Sequence, residues 1–159
     1  MGLFSFRKKN VIEVGAPVSG EYVSLKEVTD PTFREEILGK GIAVLPAEGR
    51  IYAPCDGTVT TVFPTGHAVA VTSDEGAEIL IHVGLDTVKL EGNGFSVRTE
   101  AGNRVKRGEL LLEAEISFIN NAGYESITPV IVCNTSEFSS VEAKTGRKRP
   151  GETCLELTK

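Results

Sequence analysis

The sequence contains no tryptophan, one methionine, two histidines and three cysteines in 159 residues. Cys55, Cys133 and Cys154 are odd in number, far apart and without Cys-x-x-Cys spacing, which excludes a disulfide framework and a zinc ribbon. Small buried thiols in a reducing compartment fit this pattern. The chain also lacks an apolar run long enough to cross a bilayer, and residues 1–10 lack the apolar segment of a signal peptide. We therefore expect a cytoplasmic protein that contacts membranes at most peripherally.

Positive charge is scarce as well. Seventeen Lys and Arg residues stand against 22 Asp and Glu, which gives a formal net charge of −5. Nucleic-acid binding requires clustered cations, but the two basic clusters, residues 7–9 and 147–149, lie near the ends of the chain. We interpret them as a solvated terminus and a charged turn. The charge pattern therefore argues against a nucleic-acid partner.

The length and a composition of 40% apolar and 25% charged residues are those of one globular domain. We expect residues 11–159 to form this domain behind a flexible tail of residues 1–10. Turn-forming residues separate short runs rich in Val, Ile and Thr, and segments with helical periodicity are too few for a βαβ fold. The sequence thus predicts an all-β domain, an antiparallel sandwich or barrel-like fold with short helical turns. The predicted strands cover residues 20–25, 41–45, 58–63, 68–72, 78–83, 110–114 and 130–133.

Two short helical segments are predicted, over residues 30–38 and 118–124. At the start of the first, Asp30 can cap the helix and Pro31 suits the first helical position. Gly39 is expected to end it.

An internal repeat is also present. Residues 16–20, Ala-Pro-Val-Ser-Gly, return 37 positions later as residues 53–57, Ala-Pro-Cys-Asp-Gly. Two copies are too few for a solenoid. We interpret them as two similar strand–turn units that pack face to face.

Both histidines lie in the most strongly β-patterned part of the chain, one on each side of the turn formed by residues 73–76. A loop centred on this turn pairs residues whose numbers add up to 149, which sets His67 opposite His82. Cross-strand partners lie roughly 5 Å apart, so both imidazoles could reach one small group. A bulge at Gly76 would shift the register by one, but such a bulge can restore the facing geometry. The pattern therefore predicts a two-histidine site.

Residues 76–88, with the sequence Gly-Ala-Glu-Ile-Leu-Ile-His-Val-Gly-Leu-Asp-Thr-Val, resemble the phosphorylation-site motif of the glucose-class enzyme IIA domains. These domains belong to the bacterial phosphoenolpyruvate-dependent sugar phosphotransferase system. Other landmarks of the family follow in order along nearly the whole chain, at residues 16–20, 41–43, 53–58, 65–67, 92–95 and 128–130. The resemblance implies an antiparallel β-sandwich with a shallow apolar depression that holds two histidines.

The resemblance also implies roles for individual residues. His82 would carry a phosphoryl group on Nε2 while the Gly84 backbone holds its Nδ1. His67 would bind that phosphoryl group, oriented by a hydrogen bond from Thr65. Leu80 stands where some relatives carry Phe. The implied partner-docking residues are Asp30, Phe33, Ile37, Phe63, Leu80, Asp86 and Val88.

A chain with this resemblance is expected to be a protein-histidine phosphotransferase that needs no cofactor. It would take a phosphoryl group from phospho-HPr and give it to the IIB domain of a sugar permease. Some relatives also regulate transporters or kinases. The sugar stays open, because specificity lies in the permease. Imidazole suits this task, since it attacks phosphorus yet leaves again readily, and a pKa near 6.5 leaves it unprotonated in the cytoplasm.

Three alternatives stay open on the residues alone. A lipoyl- or biotinyl-like carrier module is suggested by Ala53-Pro54-x-x-Gly57, although Lys89 and Lys106 lack the hairpin-tip context of a carrier lysine. A zinc peptidase-like β-domain would need three protein ligands, and the chain has two histidines without an His-x-His pair. These two histidines could still share a zinc ion with a carboxylate from a partner. A non-catalytic interaction module is the third alternative.

Overall fold

The computed structural model describes residues 10–159. Most of the predicted tail, residues 1–9, and the first basic cluster lie outside the described residues. Within residues 10–159, no helix is long and apolar enough to cross a membrane. Strands dominate the described part of the chain, which confirms the predicted all-β class.

The elements follow in chain order. The strands are β1 (Val11–Gly15), β2 (Gly20–Val23), β3 (Lys40–Pro46), β4 (Arg50–Tyr52), β5 (Gly57–Val62), β6 (Ala68–Ser73), β7 (Glu78–His82), β8 (Phe95–Val97), β9 (Arg104–Val105), β10 (Leu110–Ala114), β11 (Thr128–Val132), β12 (Ser140–Ala143), β13 (Gly146–Lys148) and β14 (Thr153–Thr158). The helices are α1 (Pro31–Arg34) and α2 (Ile116–Asn121), and 3₁₀ turns cover Leu25–Glu27, Thr87–Leu90 and Thr135–Glu137.

The described residues form three antiparallel sheets. The largest has eight strands in the order β13-β2-β3-β11-β7-β6-β5-β9. Two smaller sheets have the orders β1-β14-β12 and β4-β10-β8. The main core lies between the sheets, because fully buried residues of all three belong to one cluster, among them Val14, Ile51, Ile81, Leu111 and Leu155. The result is the sandwich that the sequence predicted.

The central strands of the large sheet are buried on both faces. In β7, Ile79 and Ile81 belong to the main core, whereas Leu80 belongs to a second, smaller cluster with Phe33. Side chains alternate between the two faces of a strand. His82 at the end of β7 therefore shares the face of Leu80, away from the main core. Burial on both faces also explains why these strands read as nearly continuous apolar runs.

The two copies of the internal repeat lie against each other, as predicted. The backbone N–H of Gly15 donates to the carbonyl of Pro54 at 2.8 Å, and that of Tyr52 donates to the carbonyl of Pro17 at 2.7 Å. Gly15 and Tyr52 occupy equivalent places just before each copy, as do the two prolines within them. The bonds are therefore reciprocal, and they bring the two halves of the chain together around the core.

The first predicted helix is right at its start and wrong at its end. The Asp30 side chain accepts a hydrogen bond from the Thr32 N–H at 2.9 Å, and Pro31 is the first helical residue. The helix ends at Arg34 rather than at residue 38, because Glu36 takes a left-handed backbone conformation with φ of 59°. The second helix begins and ends earlier than the predicted span of 118–124.

The predicted register of the histidine hairpin is wrong by one residue. His82 pairs with Ala68 and Ile81 pairs with Val69, so the paired residue numbers add up to 150. The additional loop residue is Gly76, which adopts a φ of 100°. A glycine in this conformation is the usual residue of a hairpin bulge.

The expectation that all three cysteines are buried is also wrong. Cys133 is exposed, while Cys55 and Cys154 are buried.

Replacement of Tyr22 by Phe tests how firmly the first repeat copy is held. The fully buried Tyr22 hydroxyl donates to the Val18 carbonyl at 2.6 Å and accepts from the Val18 N–H at 3.2 Å. Loss of the hydroxyl leaves both backbone groups without this partner. We expect Tyr22→Phe to lower the free energy of unfolding by about 1–3 kcal/mol in urea titrations. Tyr52→Phe, at a half-buried side chain, serves as the control and should change it by less than about 0.5 kcal/mol.

Candidate active site

His82 is held at the end of β7 by its own backbone turn. Its Nδ1 lies 2.8 Å from the carbonyl oxygen of Gly84. Since a carbonyl only accepts hydrogen bonds, Nδ1 carries the hydrogen, and in the neutral ring the Nε2 lone pair stays free. Gly84 has a φ of 77°, and a Cβ built there would come within 2.6 Å of the Thr87 Cγ2 atom and 2.8 Å of the Glu125 carbonyl. This position therefore requires glycine.

His67 follows the tight turn that ends β5. The Gly66 N–H donates to the Phe63 carbonyl at 2.7 Å, and the Phe63 N–H donates to the Ala68 carbonyl at 3.0 Å. The Thr65 hydroxyl lies 2.6 Å from the His67 Nδ1. His67 is only 2% exposed, whereas His82 is half-buried. Of the two rings, His82 is the one that another protein can reach.

The two imidazole rings converge. Their centroids are 4.8 Å apart and their planes meet at 80°. The shifted register does not separate them, because His67 lies in a bend just before β6 rather than within the strand. Strict alternation of side chains therefore does not apply to it. A hydrogen bond of 2.8 Å from the Val83 N–H to the His67 carbonyl ties the two backbone segments together.

Aromatic rings surround the histidine pair. The Phe33 ring centroid is 5.0 Å from that of His82, and the Phe63 centroid is 5.3 Å from that of His67. Phe33, Phe63 and Leu80 pack in the same apolar cluster. Phe95, at 6.4 Å from His67, was not among the predicted site residues. The family landmark at residues 92–95, Gly-x-Gly-Phe, contains Phe95, but the resemblance assigned no role to that residue.

The remaining predicted docking residues have different surroundings: Asp30 and Asp86 form an acidic rim, whereas Ile37 and Val88 are apolar. Asp30 and Asp86 lie near enough to His82 for their charges to act on its pKa. Val88 follows Asp86 and is 50% exposed, and Ile37 follows α1 and is 68% exposed. Both are large apolar side chains, and each follows one of the two aspartates in the chain. The structure thus gathers the aromatic and acidic residues around the histidines and leaves Ile37 and Val88 facing solvent.

Burial depresses the basicity of both rings. Burial, together with a smaller contribution from the nearby His82, lowers the pKa of His67 from 6.5 to about 4. Burial also lowers the pKa of His82, against the opposing effects of the Gly84 carbonyl and of Asp30 and Asp86. Both imidazoles are therefore neutral near pH 7. A neutral ring with a free Nε2 lone pair is a nucleophile.

Metal ligands are few at this site. Among residues 10–159, no group of three or more His, Cys, Asp or Glu side chains is arranged to hold a metal ion. The histidine pair offers two ligands, and a tetrahedral zinc site needs more.

The fold and the site together define a class of protein. An antiparallel sandwich displays a neutral, accessible imidazole next to a buried one, beside an apolar cluster with carboxylates nearby. Such a surface is suited to the transfer of a small charged group between docked proteins.

Comparison with known proteins places the chain within that class. Residues 12–138 match the family model of the phosphoenolpyruvate-dependent sugar phosphotransferase system, EIIA 1. The chain belongs to this family. It therefore serves as an EIIA component with a phosphocarrier role in the sugar phosphotransferase system, as the sequence predicted. The comparisons do not favour a carrier module or a zinc peptidase.

Individual relatives agree with this assignment. The glucose-specific EIIA component of Oceanobacillus iheyensis is 45% identical over 86% of this chain and 82% of its own length. The glucose permease IIA from Mycoplasma capricolum is 33% identical, with a TM-score of 0.85 over 92% of this chain and 95% of that chain. The beta-glucoside-specific EIIBCA component of Bacillus subtilis is 46% identical over 91% of this chain. The present chain spans 24% of the length of that relative.

The depressed pKa of His67 makes stability depend on pH. The unfolded chain binds a proton at this residue below about pH 6.5, whereas the folded chain does so only near pH 4. Stability is therefore full above pH 6.5 and falls between pH 6.5 and 4. We expect this residue to account for a loss of about 1–3 kcal/mol across that window in urea titrations. His67→Gln should reduce the loss, and an unchanged loss in this variant would contradict the assignment.

Proposed function

We propose that His82 accepts a phosphoryl group on Nε2 from phospho-HPr and passes it to the IIB domain of a sugar permease. One observation carries the proposal: two imidazole rings lie 4.8 Å apart, and only one of them is accessible. The hydrogen bond from Nδ1 to Gly84 leaves the accessible ring with its lone pair on the outer nitrogen. His82 is accordingly the nucleophile and His67 its assistant.

Hydrogen bonding suits the two rings to different tasks. If the Thr65 hydroxyl donates to Nδ1 of His67, the hydrogen of that neutral ring sits on Nε2. His67 then offers an N–H donor, whereas His82 offers a lone pair. A hydrogen bond to a charged group contributes about 1.5–3 kcal/mol. His67 thus stabilises the phosphoryl oxygens as they arrive next to His82.

The transfer step exchanges one P–N bond for another. The Nε2 lone pair of His82 attacks the phosphorus of the donor phosphohistidine. The P–N bond of the donor breaks, and its electron pair returns to the imidazole of the donor. Because such transition states are loose, positioning and charge stabilisation supply most of the catalysis. In the second transfer His82 is the leaving group. A nucleophile of the IIB domain attacks the phosphorus, the P–N bond to His82 breaks, and its electron pair returns to the His82 imidazole.

The apolar surroundings of the two rings support this chemistry in two ways. Phe33, Phe63 and Leu80 form the packed base around the rings, while Ile37 and Val88 present apolar surface to solvent. A docked partner that covers this surface excludes water, which strengthens hydrogen bonds to the phosphoryl group and limits its hydrolysis. Asp30 and Asp86 give the rim a negative charge that suits a basic donor surface.

The acceptor is inferred from the organisation of relatives. The EIIBCA component of Bacillus subtilis combines B, C and A parts by its name, and this chain, a member of the EIIA family, matches 24% of its length. A IIA unit next to a IIB unit is expected to pass its phosphoryl group to it. This exchange takes place in the cytoplasm, where the near-neutral pH leaves a histidine side chain largely unprotonated.

Substitution of each histidine in turn tests the assigned roles. After incubation with phosphoenolpyruvate, enzyme I and HPr, intact-mass measurement at mildly alkaline pH should find a gain of about 80 Da in the unmodified chain. His82→Ala should abolish the gain, because the nucleophile is lost. His67→Ala should still gain the phosphoryl group but pass it on poorly to a IIB domain.

The two variants control for each other, since both remove an imidazole from the same site. A full mass gain in the His82 variant would refute the assignment of the nucleophile. Equal transfer to IIB by the His67 variant and the parent chain would refute the assisting role.

Neutralising the acidic rim tests the docking surface. The double variant Asp30→Asn, Asp86→Asn should raise KM for phospho-HPr about tenfold at low salt, with kcat little changed, and the effect should fade as salt screens the rim. Glu100→Gln removes an exposed carboxylate before β9, the edge strand of the large sheet, and should leave KM unchanged. An equal rise in both proteins would point to net charge rather than to the rim.

A further inference from the structure

The turn after His82 contains a buried threonine, Thr87. Thr87 is fully buried, and its hydroxyl donates to the Val83 carbonyl at 2.5 Å. Its methyl group packs against Gly84, since a Cβ on that glycine would lie 2.6 Å from the Thr87 Cγ2 atom. Thr87 therefore contacts both residues that follow His82.

Two peptide planes meet at Gly84, and each is fixed by a different contact. The plane between Val83 and Gly84 is held by the Thr87 hydroxyl on its carbonyl. The plane between Gly84 and Leu85 is held by the Leu85 N–H, which donates to the Glu125 carbonyl at 2.9 Å. In a trans peptide the carbonyl points away from the N–H. The Gly84 carbonyl is thereby directed toward the Nδ1 of His82, at 2.8 Å.

Glycine makes this arrangement dependent on its neighbours. Gly84 can take many combinations of φ and ψ, and its own side chain restricts none of them. The value of 77° observed for φ is therefore selected by the contacts on either side. Without the Thr87 hydroxyl, the plane between Val83 and Gly84 loses this anchor. The His82–Val83 segment can then turn about Gly84 relative to the second plane, and the alignment of the ring with the Gly84 carbonyl is no longer fixed.

The geometry points to Thr87 as a positioning residue that keeps the hydrogen of His82 on Nδ1 and the lone pair on Nε2. The inference rests on the proposed function, in which that lone pair attacks phosphorus. A free histidine side chain favours the opposite tautomer, with the hydrogen on Nε2. That form has no lone pair at the nitrogen that faces a partner, so its phosphorylation is slow.

Two variants separate the contacts that Thr87 makes. Thr87→Val keeps the shape and a methyl group but removes the hydroxyl. Thr87→Ser keeps the hydroxyl and removes the methyl group. Thr135→Val is a matched control, because the Thr135 hydroxyl also donates to an earlier backbone carbonyl, that of Val132, at the same distance of 2.5 Å. Val132 pairs with Ile79, away from the histidine end of β7.

The readout is the ¹⁵N spectrum of the His82 ring in the unphosphorylated full chain, which distinguishes the tautomers. We expect Nδ1–H in the parent chain, in Thr87→Ser and in Thr135→Val. Thr87→Val should give a mixture of tautomers. Its rate of phosphorylation by phospho-HPr should fall about tenfold or more, because misplacement of a reacting group has effects of this size, and Thr87→Ser should restore the rate.

The outcomes separate this inference from the proposed function. A folded Thr87→Val chain with the tautomer and the rate of the parent overturns the inference and leaves the function standing. If Thr87→Val does not fold, Thr87→Ser decides: Nδ1–H with the parental rate supports the hydroxyl contact, and a tautomer mixture overturns it. A parent chain that takes up no phosphoryl group overturns the proposed function, while the spectra still judge the role of Thr87 in fixing the ring.

Discussion

The hydrogen bond from Nδ1 of His82 to the Gly84 carbonyl determines the chemistry available to this protein. It fixes the ring orientation and leaves the lone pair on the accessible nitrogen. The bond depends on a left-handed glycine, and that glycine depends on the turn formed by residues 83–87. A geometry built on backbone carbonyls is rigid, because each carbonyl is held within a packed loop rather than by a mobile side chain.

The same constraint explains why the second histidine sits where it does. The Val83 N–H donates to the His67 carbonyl, so one short backbone segment positions both rings. Burial keeps His67 neutral, with its pKa lowered to about 4, and a phosphoryl group beside it would supply the negative charge that favours protonation. The site can therefore hold an anion that it does not attract strongly when empty, which suits a carrier that must both load and unload.

Much of the fold could be predicted from the sequence. The strand at residues 110–114 has the predicted bounds, and the other predicted strands overlap observed ones, because apolar runs between turn formers reflect burial directly. The errors are local. The first helix stops early at the left-handed Glu36, and the hairpin register shifts at Gly76. Both depend on backbone conformations that several residues tolerate, and the sequence pattern does not distinguish among them.

By itself, the sequence determined the class of the fold and the identity of the two histidines, since strand periodicity and the motif around His82 are encoded in consecutive residues. Only the tertiary structure decided which ring is accessible, how far apart the rings lie, and that Phe95 and Thr87 belong to their surroundings. These features arise where segments distant in the chain pack together. Burial, ring separation and tautomer depend on that packing and not on any local pattern.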